Sequence, residues 1–114
     1  MSNMSVKIYS AAVLGLEAEI VEVEAGLGGG QLGSFATVGP PENAESEARE
    51  RVRNAIKNSN IDFPHVKVTV NLAPANLKKQ GSGYDLPIAV SIIAALGKLK
   101  NSQVDFDKAL FVGE

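Results

Sequence analysis

A chain of 114 residues, 45% hydrophobic and 21% charged, has the length and apolar content of one globular domain and not those of a disordered segment. Its net charge of −2 leaves no global basic field for a nucleic acid, and with no cysteine there is no disulfide, thiolate metal site or cysteine nucleophile. Aromatic residues make up only 5% and tryptophan is absent, so the core must be built from Val, Ile, Leu and Ala. The N-terminal stretch has one Lys and no apolar run of signal-peptide type. The longest apolar run, Leu86 to Leu96, is far short of the ~20 residues that span a bilayer. The expectation is a cytoplasmic domain covering residues 1–114, with no membrane partner.

Val6 to Val13 reads as a first strand. After Gly15, Glu17 to Ala25 alternates: Ala18, Val21, Val23 and Ala25 mark one face, and Glu17, Glu19, Glu22 and Glu24 take solvated positions. Because Ile20 and Val21 are adjacent, the phase slips there, which requires a bulge or an exposed isoleucine. The four glutamates could share a cation, but carboxylates on the outer face of an edge strand are the simpler reading. Gly28, Gly30 and Gly33 then form a G-x-G-x-x-G pattern. A dinucleotide fingerprint requires a helix to begin there, with its N–H groups facing the pyrophosphate. Ser34 to Val38 is strand-like instead, so the glycines read as a hairpin loop.

Gly39-Pro40-Pro41 closes that third strand and opens a helix from Pro41 to Ser59. Ala44, Ala48, Val52, Ala55 and Ile56 form its apolar stripe, and Glu45–Arg49 and Glu47–Arg51 are i,i+4 pairs. Its acids gather early and its bases, Arg53 and Lys57, late, as the helix dipole favours. Asn58-Ser59-Asn60 stops it. Val66 to Ala73 is the fourth strand, with Val66, Val68, Val70 and Leu72 on one face, and Pro74 ends it. A loop leads to a second helix, Leu86 to Leu96, apolar nearly all round, with Asp85 as its expected N-cap, Pro87 in its first turn and Gly97 just past its end. Ala109 to Val112 reads as a last strand. The order β-β-β-α-β-α-β is α+β, not a repeating βα pattern, and a mixed sheet with two helices on one face fits it best.

The loop is the one stretch with chemical potential. Lys78 and Lys79 precede Gly81, Ser82, Gly83 and Tyr84, and two lysines before a glycine turn at a helix N-terminus can hold an anion. No Gly-Lys-Ser/Thr closes the loop as in a Walker A segment, and Asp85 opposes a phosphate. Ser82 could serve as a nucleophile with a lysine base only if that lysine were desolvated. Lys78 and Lys79 are adjacent in a polar loop, so a structural turn serine is the simpler reading. His65, the only histidine, has no cluster of acids around it in sequence, and reads as a residue leading into a strand.

The run Val68-Thr69-Val70-Asn71-Leu72-Ala73-Pro74-Ala75-Asn76-Leu77-Lys78-Lys79, then Gly81 and Tyr84-Asp85-Leu86-Pro87-Ile88-Ala89, resembles the N-terminal domain of the YifB/ComM-like family of magnesium chelatase-related AAA+ ATPases of bacteria. Ala12 to Ala18, Phe35 to Pro41, Glu45-Ser46 and Glu50 to Ile56 agree with it in order, so the likeness covers essentially all of the chain after Ser5. The resemblance implies a ribosomal protein S5 domain 2-like fold, shared with the proteolytic domain of Lon. It also implies an AAA+ motor in the same chain as partner, ATP and Mg as that motor's cofactors, ring-forming homo-oligomers, and a parent acting on DNA in natural transformation. Lon-type proteases carry their serine in a Lys-Asp-Gly-Pro-Ser-Ala-Gly turn. Laying Lys79 to Asp85 on that turn puts Gly83, not Ser82, at the serine position. The expectation is therefore a non-catalytic accessory domain with no cofactor of its own. Two alternatives are a Lon-type hydrolase using Ser82, and a nucleic-acid contact module using Lys67, Lys78, Lys79, Lys98 and Lys100.

Overall fold

In the computed structural model, residues 4–14, 16–29, 33–38, 42–73, 84–97 and 106–113 are described. β1 (Met4–Leu14) and β2 (Glu17–Leu27) pair antiparallel in an unbroken register from Met4↔Leu27 to Leu14↔Glu17. β3 (Phe35–Val38) leads to α1 (Glu42–Asn58), which returns the chain to β4 (Val68–Ala73), and α2 (Asp85–Ala95) follows. The four strands form one sheet in the order β1-β2-β4-β3, with β4 antiparallel to β2 and parallel to β3. Parallel neighbours need a crossover, and α1 supplies it.

Period-2 burial decides the layering. Ile8 and Ala12 of β1, Val21, Val23 and Ala25 of β2, Phe35 of β3, and Val68, Val70 and Leu72 of β4 are buried on one face. Ala48, Val52 and Ile56 of α1 and Ile88, Ile92 and Ala95 of α2 cover that face, so both helices lie on the same side. The opposite face carries Lys7, Tyr9, Glu22, Glu24, Thr69 and Asn71, polar groups suited to a sheet open to water on one side. Lys7 Nζ lies 2.8 Å from Glu22 Oε1 across β1 and β2. That carboxylate raises the Lys7 ammonium pKa above its usual value.

The helix ends follow their sequence. Asn60 adopts φ +63°, donates its N–H to Lys57 O (3.0 Å), and lets Ile61 N–H reach Ile56 O (3.3 Å). This is a Schellman closure, and Ile61 packs on the core as the motif requires. Gly97, at φ +79°, closes α2 with its N–H on Ala94 O.

Several expectations from sequence are corrected. The glycine-rich stretch does not join a hairpin: β4 lies between β2 and β3, pairing its backbone with both. β2 is accordingly interior along Glu22–Leu27, where Glu22 and Glu24 sit on the open face, while Glu17 and Glu19 are exposed near the hairpin tip, on the side of Val21 and Val23. The phase slip at Ile20 is met by exposure (55%), since the register contains no bulge. Ala55 is exposed and stands beside the core stripe, not in it. Ala109 to Val112 is not a strand. One turn of 3₁₀ helix, Phe106–Lys108, precedes it, and Phe111 N–H bonds to Tyr9 O (2.9 Å) at the β1 edge. The alternation that suggested a strand is present, with Leu110 and Val112 exposed and Phe111 half-buried against Phe106. The ladder is not, because the carbonyl of Gly113 bonds to the start of α2.

Candidate functional site

Of the loop residues singled out in sequence, Lys78, Lys79, Gly81, Ser82 and Gly83 lie outside the described residues, while Tyr84 and both flanks are described. The flanks are fixed by the fold: β4 ends at Ala73 beside β2 and β3, and α2 starts at Asp85 beside α1. Tyr84 is the residue before the first helical turn, half-buried, and its carbonyl accepts the N–H of Ile88 (3.0 Å). Burial pushes the pKa of its phenol above the ordinary 10.0, because phenolate loses hydration there.

Asp85 was expected to cap α2 by accepting from Ile88. Instead it is the first helical residue, and its carboxylate accepts two bonds from Arg51 of α1: Nε to Oδ2 at 2.5 Å and Nη2 to Oδ1 at 3.2 Å. The fork of a guanidinium matches the two carboxylate oxygens, and burial of the Asp85 side chain to 12% exposure keeps water from competing. The next donor of the helix, Leu86 N–H, is taken by Gly113 O at 3.1 Å. Pro87 has none to offer. The N-terminus of α2 is therefore committed within the fold: its charge faces Arg51 and its free N–H faces the C-terminal segment. Arg51, Val52, Ala55, Asp85, Leu86 and Ala89 line a mostly apolar groove of about 280 Å³ between the helices.

Other candidates separate from this centre. His65 is exposed, and its carbonyl accepts Gly33 N–H (2.9 Å). It shares a pocket with Arg53 and Lys57 of α1, a grouping the sequence did not reveal. The i,i+4 spacing of those two cations was visible, but read as a complement to the helix dipole. The G-x-G-x-x-G stretch leads into β3, which lacks the helix a pyrophosphate needs. Among the described serines, Ser91 Oγ donates to Ile88 O and Ser59 Oγ to Ala55 O, while Ser10 Oγ is buried without a hydrogen-bond partner. Among the described residues no three of His, Cys, Asp and Glu are grouped to hold a metal ion, and no helix is long and apolar enough to cross a membrane.

Residues 21–114 match the protein family described as subunit ChlI of Mg-chelatase. The chain is 44% identical over 97 residues to competence protein ComM of Haemophilus influenzae, covering 85% of this chain and 19% of that protein. It is 45% identical over 98 residues to the uncharacterized protein YifB of Salmonella typhimurium, covering 86% of this chain and 19% of the relative. An uncharacterized protein of Mycobacterium bovis is 38% identical over 108 residues, which cover 95% of this chain and 21% of that one. The chain thus spans about a fifth of the length of the curated relatives it matches.

Proposed function

The chain belongs to the magnesium chelatase-related family that includes ComM and YifB, and on that premise we propose that it is a non-catalytic accessory domain at the N-terminal end of an AAA+ ATPase. Its mixed sheet under two helices is the frame of a ribosomal protein S5 domain 2-like, Lon-related fold. The AAA+ motor of the same polypeptide is its partner, and ATP and Mg belong to that motor. The parent assembles as a ring in the cytoplasm and acts on DNA, a role suggested by the word competence in the name of the Haemophilus relative.

The observation that carries the accessory reading is the commitment of the α2 N-terminus. In a serine hydrolase of Lon type, the turn before this helix presents a nucleophile, and nearby N–H groups stabilise the oxyanion. Here Asp85 holds a negative charge at that turn, locked by Arg51, and Leu86 N–H is bonded to Gly113 O. An oxyanion would meet a carboxylate and a donor already in use. Gly83 stands where the Lon turn has its serine, so the residue type agrees with the electrostatics.

Two measurements on the full-length parent test this. A serine-directed fluorophosphonate should leave residues 1–114 unlabelled; labelling that disappears in Ser82→Ala would establish the hydrolase instead. Removing residues 1–114 should impair ring assembly or ATP turnover. If assembly, ATPase and DNA activities all survive the deletion, the accessory role is wrong.

A further inference from the structure

The Schellman closure of α1 folds residues 61–65 back along the helix, and a pocket of about 560 Å³ opens between them. Arg53 and Lys57, one turn apart on α1, line it together with His65 and Gly33. Phe63 also lines it, its ring centroid 5.4 Å from that of Phe35 and 4.9 Å from the Arg53 guanidinium carbon. The position of His65 is set by the bond from Gly33 N–H to its carbonyl.

None of the side chains of Arg53, Lys57 and His65 is ion-paired or hydrogen-bonded among the described residues, although Arg53 lies over Phe63. Like charges at i,i+4 repel, so Arg53 and Lys57 stand together at a cost; Glu50, three residues before Arg53 on the same helix face, is not among the described residues that line the pocket. Among the described residues Asp62 is the one carboxylate in the lining and has no ion-pair partner, which leaves their charges one positive in excess before His65 is counted. The helix dipole would account for the two α1 cations but not for the histidine or the concavity. Nor does the dipole repel an anion strongly here. The carbonyls of Ala55, Ile56 and Lys57 are satisfied by the N–H groups of Ser59, Asn60 and Ile61.

We propose that this pocket binds the phosphate group of a small ligand, inorganic phosphate or a phosphate monoester. A planar guanidinium, a point-charge ammonium and an imidazole N–H lining one pocket suit the divergent oxygens of a tetrahedral anion. A small ligand is favoured over a polymer because the chain's net charge of −2 gives no field to hold a polyanion beyond the pocket.

The test is a titration of the 114-residue chain with inorganic phosphate against chloride at matched ionic strength, read by amide shifts in ¹H–¹⁵N correlation spectra. Saturable shifts are expected at Gly33, Arg53 and His65. Lys57→Gln and His65→Gln, both exposed and outside the core, should each weaken binding about tenfold, the size of one charge-assisted hydrogen bond. Lys7→Gln, on the open sheet face, should leave it unchanged. A phosphate monoester should compete for the same amides. Shifts that never saturate, or wild-type affinity in Lys57→Gln, overturn the proposal. So does a single-stranded oligonucleotide that binds these amides more tightly than phosphate, since the site would then belong to a polymer backbone.

Discussion

Arg51 and Asp85 join the two helices at the point where the chain enters α2, and the two partners differ in their access to water. The Asp85 side chain is 12% exposed and that of Arg51 41%. Arg51→Met strands a carboxylate in a mostly dry site and should cost about 2 kcal/mol, whereas Asp85→Asn leaves an arginine that can turn to solvent and should cost about 1 kcal/mol. Urea unfolding of both variants checks the asymmetry; equal losses would mean that the pair acts only as packing. Tyr84, next to it, gives a pH signature. Its folded pKa lies above the unfolded 10.0, so the folded state holds the proton longer. Stability from this group is complete below about pH 10 and is lost as pH rises through the folded value. Tyr84→Phe should remove that fall above about pH 10, followed by chemical denaturation. Ser10 is a third residue-scale case: fully buried on β1 with an unpartnered hydroxyl, it should gain about 1 kcal/mol as Ser10→Ala.

At the scale of elements, α2 is the piece that the sheet cannot do without. Its apolar sequence leaves no polar stripe, and it packs against β1, β2 and β4 on one side and α1 on another. Ile92 is completely buried at the centre of this contact, so Ile92→Ala should destabilise by about 2–5 kcal/mol, the range of the transfer and cavity terms for such a truncation. A thermal melt showing little change would place α2 at the periphery. The four strands and α1 were legible because each carries its own periodicity: period 2 in Val21-Glu22-Val23-Glu24-Ala25, helical spacing in Ala48, Val52 and Ile56; α2 was legible from its apolar run with Pro87 in its first turn and Gly97 just past its end. The last segment misled because Leu110 and Val112 alternate with Phe111 as a strand would. Periodicity reports which side chains face inward, and a ladder depends on backbone partners that it does not encode.

For the whole molecule, the buried residues of both helices and all four strands fall into one cluster. A radius of gyration of 13.5 Å agrees with about 13 Å for a compact chain of this length. With one core, unfolding in urea should follow a single transition, superimposable when read by far-ultraviolet circular dichroism and by tyrosine fluorescence. Separated transitions would show that the β1–β2 hairpin, whose tip exposes Leu16, opens independently.

The sequence by itself determined the α+β class, the order of elements through α2, the family, and the positions at which both helices stop, because these rest on local periodicity, turn chemistry and residue identity. Strand order was decided only in three dimensions: β4 pairs its backbone with β2 on one edge and β3 on the other, and no local signal states that. The same holds for Asp85, whose position suggested a cap until Arg51, 34 residues earlier, proved to hold it. The pocket of Arg53, Lys57 and His65 likewise exists only once a left-handed asparagine has turned the chain back along its helix.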